Sequence, residues 1–532
     1  MKTKAFINGK IFTVNDKQPF AEALIVEKNK IVFVGSNEDV KSRSNKSVKI
    51  IDLHGRLMLP GFIDAHVHFM NGGYYLSGVD LRNAKSISEF TWILKDYSKK
   101  IEGKWITGGS WDHEQWEEKT LPNKEIIDSF TSRTPVFIER TDKHIGLANS
   151  FALKSAGINK YTPDPPGGEI VKDEKSGEPT GILKDNAMNL VYSVIPENSA
   201  EENYVAAISA LKEAEKYGVT SVHDISNKKD LIAYLQLEKE NKLTCRIYSI
   251  LPINNYKKLD KEIEKKLNRS DKIKFKSLKA FSDGSLGAGT AWFFEPYEDN
   301  SSSGLPQDIL INGKLEEWAS DADKNNLQIA THAIGNKANA YVLDIYEKII
   351  KQNPERDRRF RIEHAQHLRF EDISRFSEIG VIASCQPYHL FFDGSWAEKK
   401  IGPERIKTSY PFNSLLNNGV ELCFGSDWPV VPLNPLNGIY AAVTRQTSGN
   451  NNNSGWVPNE KISVEEAIKC YTLKSAYASF EENIKGSIEP GKLADLVVLN
   501  EDILTISPEK IKDVFVEMTI FNGEIIYTRN DE

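Results

Sequence analysis

His66 and His68 stand one residue apart at the end of the run Gly61-Phe62-Ile63-Asp64-Ala65-His66-Val67-His68. On a β-strand, residues i and i+2 point to the same face, so the two imidazoles would project together beyond an apolar strand. Paired imidazoles are half of a metal site, and the chemistry they suggest is metal-assisted hydrolysis. Alone the pair is equally two histidines in a polar loop. Further polar residues end later apolar runs: His223 and Asp224, Lys279, His332, His364 and Asp427. Four histidines (His66, His68, His332, His364) and Asp427 exceed one tetrahedral site with an open position, which favours two metals clamping a water and a carbonyl oxygen. Imidazole and carboxylate donors suit zinc, and iron or manganese accept the same set. An ammonium at Lys279 would repel those cations. Carbamylated by CO2, it would become an anionic bridge; the competing reading is a solvated or salt-bridged lysine, with Lys272, Lys274 and Lys276 just upstream. His223 reads better as a structural barrel histidine than as a ligand, and His54 and His367 read as structural.

Elements must exist to hold these residues together. In the middle of the chain, short apolar runs alternate with helical patterns, the mark of parallel α/β architecture. Eight strands are expected, at residues 61–68, 218–224, 244–251, 273–282, 327–332, 360–364, 381–386 and 420–427, with helices such as 201–216 and 315–325 between them. That is the content of a (β/α)8 TIM barrel, whose active sites lie at the C-terminal ends of the strands. A doubly wound open sheet fits the periodicity as well. Both ends of the chain instead alternate apolar and polar residues between Asn-Gly turns, Asn8-Gly9 and Asn522-Gly523, and read as short hairpins. Neither end buries a face alone, so residues 1–58 and 485–532 are expected to build one composite β-sandwich domain around a barrel at 59–484. The gap after the first barrel strand is too long for a single crossover. It carries its own strands, so 72–199 is expected to be an insertion subdomain. The asparagine run at 450–454 reads as a polar loop.

Composition excludes several functions. The 532 residues are 40% hydrophobic and 27% charged with net charge −7, which leaves no electrostatic footprint for nucleic acid. No apolar run of about 20 residues suggests a membrane span. The four cysteines include no CxxC pair, and their scarcity, with no apolar leader, makes the cytoplasm the default. A homodimer is the default assembly.

The metal-type residues, together with Lys279-Ala280-Phe281-Ser282-Asp283-Gly284-Ser285-Leu286-Gly287, residues 361–368, Cys385-Gln386-Pro387-Tyr388-His389 and Gly425-Ser426-Asp427-Trp428-Pro429-Val430, carry a resemblance. So do Ser110-Trp111-Asp112, residues 165–170 and Ala494-Asp495-Leu496-Val497-Val498-Leu499. The chain resembles the amidohydrolase superfamily, and within it the amidohydrolase-3 or YtcJ-like family that includes N-substituted formamide deformylases. The likeness runs over essentially the whole length. Thr141-Asp142-Lys143-His144 departs from it, where relatives often have Asp-Gly-His. The resemblance implies a hydrolase that opens a non-peptide amide or N-formyl bond of a small molecule through metal-activated hydroxide. It places His66 and His68 on the more buried metal, His332 and His364 on the second, carbamylated Lys279 between them, and Asp427 as metal ligand and proton carrier. Independently of the resemblance, an insertion folded over the barrel mouth would bring His144, His389 and Trp111 to the substrate pocket; the competing place for Trp111 is the core of the insertion. Alternative outcomes are deamination of a cyclic amidine, opening of a lactam, or a catalytically silent regulatory homologue.

Overall fold

A computed structural model describes residues 3–43, 48–101, 103–113, 116–140, 145–165, 168–254, 261–298, 301–449 and 454–529. The chain divides into two compact units, Met1–Met70 with Ala210–Glu532, and Asn71–Ser209.

The first unit contains the expected (β/α)8 barrel. Eight strands pair in parallel in sequence order: Phe62–Val67, Val219–Ile225, Arg246–Pro252, Ile273–Phe281, Gln328–Ala333, Arg361–His364, Ile382–Cys385 and Leu422–Phe424. The ring is completed beyond the strands: Asp427 N–H donates to the His66 carbonyl (2.7 Å) and His68 N–H to the Trp428 carbonyl (2.9 Å). Most of the strands are buried throughout, as parallel strands covered on both faces are, so their sequences run apolar instead of alternating; Ile273–Phe281 departs, with Lys274, Phe275 and Lys276 half-buried. The intervening helices turn one apolar face to the sheet. In Asn336–Gln352 that face carries Val342, Leu343, Tyr346 and Ile349, at helical spacing. The helices expected at 201–216 and 315–325 appear as Ala200–Lys216 and Lys314–Lys324.

Two further sheets lie in the same unit; the larger draws on both ends of the chain and the smaller on the N-terminal end alone. The larger has the order Glu524–Thr528, Val516–Phe521, Leu496–Leu499, Leu57–Pro60, Lys10–Phe12, Phe20–Ala21. The smaller has Lys30–Gly35, Ala23–Glu27, Lys4–Ile7, Lys49–Asp52. Phe6, Leu24, Ile31, Met58, Leu496, Val498 and Ile520 share one buried core, which explains the alternation of both termini. The turn at Asn8-Gly9 does not close a hairpin. Asn8 takes a positive φ of 55°, and the strands before and after it enter different sheets. The second Asn-Gly turn does join two antiparallel neighbours.

The second unit has its own six-stranded sheet, in the order Gly168–Lys172, Pro179–Asp185, Ile145–Ala148, Phe137–Arg140, Gly108–Trp111, Val79–Asp80. Its core gathers Leu81, Phe90, Trp111, Trp116, Ile138 and Leu147. Among the described residues no helix is long and apolar enough to cross a membrane. Residues 450–453 of the asparagine run lie outside the described residues.

Candidate metal centre

Six side chains foreseen from sequence, His66, His68, Lys279, His332, His364 and Asp427, line one cavity of about 450 Å³ at the C-terminal ends of the barrel strands. His66 Nε2 and His68 Nε2 lie 3.5 and 3.4 Å from Asp427 Oδ1. Ring centroids are 5.0 Å apart for His66 and His364 and 4.5 Å for His332 and His364. His66, His364 and Asp427 each offer a donor atom, all within 4.8 Å of one another. His332 Nε2 faces the Gly284 carbonyl at 3.1 Å, which leaves Nδ1 as its free donor.

Asp427 does not end the eighth strand, as the sequence pattern suggested. That strand stops at Phe424, and Asp427 lies in the following loop with φ 61°. His364 (φ 75°) and Ala365 (φ 42°) are also left-handed. Non-glycine residues held there cost on the order of 1–3 kcal/mol each and persist only where their surroundings over-determine them. The surroundings here do so. Asp64, wholly buried beneath the site, accepts from the backbone N–H of His66 (3.1 Å) and of Ser426 (3.0 Å), tying the first strand to the last loop. Gly425 makes that contact sterically feasible, because a Cβ there would lie 2.4 Å from the His66 nitrogen.

Burial, reinforced by the charge of Lys279, pulls the imidazole of His66 down to about 4 and that of His332 to about 3. Burial takes His364 well below the usual histidine range. These three rings are therefore neutral at physiological pH, the form that binds metals. Burial also lowers the Lys279 amine to about 8. Burial opposes ionisation of Asp427, but the His68 ring 3.4 Å away and the other nearby imidazoles hold its carboxyl well below 3.8. Four atoms around this space, Lys279 Nζ, His364 Nδ1, His389 Nε2 and Asp427 Oδ1, are buried without a hydrogen-bond partner. Buried polar atoms are rarely left unsatisfied, and so many at one point call for an absent ligand. Neutral imidazoles, an ionised carboxylate and orphaned atoms together fit a transition-metal site.

Beneath the histidines lies a network that the sequence reading did not identify. Glu363 accepts a hydrogen bond from His66 Nδ1, which turns Nε2 toward the cavity. Glu363 is in turn gripped by Arg361, whose Nε donates to Oε1 (2.8 Å) and whose Nη2 donates to Oε2 (3.1 Å). Burial opposes ionisation of Glu363, but Arg361 and His66 hold its carboxyl well below 4.5. Arg361 also reaches His223 Nδ1 (2.9 Å), so His223 is a structural histidine of the barrel interior. The available signal was two charged residues, one apart, in a fully buried strand. Asp224 is structural too: it accepts from the Phe69 N–H (2.7 Å) and the Tyr234 hydroxyl (2.8 Å), holding the chain just after His68.

Glu363→Gln is expected to weaken metal affinity about 10–100-fold, the usual effect of losing a carboxylate behind a ligating histidine. Metal titration with a competing chelator reads this directly, and unchanged affinity would assign Glu363 to packing alone.

Of the residues expected to line a substrate pocket, His389 does line the cavity, with Nε2 3.8 Å from Asp427 Oδ2. Trp111 does not line a pocket within its own unit: it is 0% exposed in the core, and its indole N–H donates to the Ile138 carbonyl. A large aromatic next to polar neighbours reads the same way in either role, so the sequence could not separate them. His144, with the departure at residues 141–144, lies outside the described residues. His367 is structural, hydrogen-bonded to Ser409 Oγ at 2.7 Å.

Comparison with known proteins follows the same outline. A family model described as the amidohydrolase family matches residues 49–527. The chain is 40% identical over 508 residues to Protein LONG AFTER FAR-RED 3 of Arabidopsis thaliana, covering 93% of this chain and 86% of that one. It is 32% identical to the putative amidohydrolase YtcJ of Bacillus subtilis, covering 98% and 99%. It is 26% identical to the N-substituted formamide deformylase of Arthrobacter pascens, covering 99% of each. Among solved structures, an uncharacterized metal-dependent hydrolase from Pyrococcus horikoshii superposes with a TM-score of 0.79 at 29% identity, covering 95% of this chain and 99% of that one.

Proposed function

We propose, because the chain belongs to the amidohydrolase family, that it is a metal-dependent hydrolase that cleaves a non-peptide carbon–nitrogen bond, of amide or N-formyl type, in a small molecule. The observation that carries this reading is the cavity in which five histidines, Asp427 and Lys279 converge around orphaned buried atoms. The full-length likeness to a formamide deformylase supports the choice of bond.

His66, His68, His332, His364 and Asp427 would hold two divalent cations, with zinc the best match to imidazole and carboxylate and with iron and manganese compatible. Bound there, such cations would polarise the scissile carbonyl and acidify a water. The remaining work falls to side chains. Asp427, ionised beside His68 and His389, takes the proton from the attacking water and delivers it to the leaving nitrogen. The Lys279 amine, which burial makes easier to deprotonate, adds to CO2. An N–C bond forms, one proton is released, and the product is an anionic carbamate that would offer oxygen donors to a bound cation. Phe281, Leu286 and Trp396 in the cavity wall limit water around the reacting group.

Zinc-loaded protein is expected to convert small N-formyl and N-acyl amines into a carboxylate and an amine in equal amounts. Release of ammonia from a cyclic amidine, or no turnover with zinc, iron or manganese, would overturn the reading.

A further inference from the structure

Asp393 has no part in the chemistry above, yet it stands in the wall of the same cavity. It closes the short helix His389–Asp393, in which positions i and i+4 share a face. His389 belongs to the reacting end, beside Asp427. Asp393 therefore lies on the same face as His389, about 6 Å along the helix axis from it. Its Oδ2 accepts from the Tyr410 hydroxyl (2.6 Å) and from Gln366 Nε2 (2.9 Å). Both donors belong to buried residues, and Gln366 Nε2 also contacts His367 Nε2 (3.1 Å). Oδ2 is thus saturated. Among the described residues Oδ1 receives no hydrogen bond, and no lysine or arginine pairs with the carboxylate. The cavity wall also carries the apolar side chains Leu286, Ile334 and Trp396. A fixed carboxylate with one open oxygen in the cavity wall discriminates for a cationic donor, because a neutral methyl group there would leave the oxygen unpaired.

We infer that Asp393 is the specificity-determining residue of this cavity and that it selects substrates bearing an ammonium group a short alkyl spacer away from the scissile amide. The substrate class is the mono-N-acylated or N-formylated short diamine. This rests on the hydrolase reading of the cavity, so the test includes a readout that needs no turnover.

The zinc-loaded full chain and its Asp393→Asn variant are compared by calorimetry with n-butylguanidinium and its neutral counterpart n-butylurea, and by kinetics with N-formyl-1,3-diaminopropane and N-formylbutylamine. Asp393→Asn is expected to weaken guanidinium binding and raise KM for the cationic amide about 10–100-fold. It should leave kcat and both neutral compounds unchanged. Asp393→Ser, expected to behave alike, serves if the asparagine variant does not fold. Equal binding of the cation by wild type and variant, or wild-type preference for the neutral compounds, overturns the inference. Asp393-dependent binding of the cation without hydrolysis of any amide would uphold it and overturn the hydrolase reading.

Discussion

Asp427→Asn lowers kcat by about 10²–10⁴-fold, the range over which a positioned general acid–base contributes. Asparagine keeps the size of the side chain and an oxygen facing His68, so the loop that closes the barrel should survive. What it loses is the ability to take a proton and the charge at the one point where His66, His68 and His389 converge. Circular dichroism should match wild type while single-turnover rates collapse. Turnover within tenfold of wild type would remove Asp427 from the proton path. The pH profile gives a second reading. Asp427 is held well below 3.8, and His66 and His332 titrate at about 4 and 3. These groups lose their working forms only as pH falls through those values. The acid limb of wild-type activity should therefore lie below about pH 5, not near the 6.5 of a free imidazole.

The other large effect concerns Lys279. Its Nζ is buried among imidazoles and touches no acceptor, and as an ammonium it would oppose every cation the histidines could bind. As a carbamate it would help hold them. Lys279→Ala is expected to lower kcat/KM about 10³-fold, which corresponds to losing several kcal/mol of charge stabilisation. Short carboxylates such as propionate should restore part of the activity, and propylammonium should restore none. Wild-type protein kept in 13C-bicarbonate should give a carbamate carbonyl resonance that the variant lacks. Rescue by the ammonium instead would mean that Lys279 works as a cation, and undiminished activity in Lys279→Ala would end its role altogether.

The barrel was readable because its strands are uniform. A parallel strand buried on both faces appears as an apolar run, and a run that ends in His, Lys or Asp marks itself as the edge of a site. The boundaries found for Val219–Ile225 or Gln328–Ala333 shift by about one residue from the pattern. The eighth strand is where the pattern misled: Gly425 and Ser426 continue the run in sequence, but the chain has already left the sheet for the loop that Asp64 anchors. Asp64, Arg361 and Glu363 went unassigned because each acts on another side chain, across a distance in sequence that no local pattern encodes. Asp393 was hidden for a related reason. Nothing in His389-Leu390-Phe391-Phe392-Asp393 reveals that Tyr410 and Gln366 occupy one oxygen and leave the other open. Trp111 shows the converse, since residue type alone cannot tell a core aromatic from a pocket one.

The sheet that mixes both ends of the chain bears on the order of folding. Leu57–Pro60 is separated from the first barrel strand by Gly61 alone, and its partner is Leu496–Leu499. During synthesis this early strand waits with one edge unpaired until almost the whole chain has been made. Pairings so remote in sequence are slow, because loop closure must be overcome before any contact rewards it. The barrel strands, paired with their neighbours in sequence, can assemble in passing, whereas Leu57–Pro60, just ahead of the first of them, gains its second partner last. Damage to the final strands would then appear less as lost chemistry than as poor yield of folded protein.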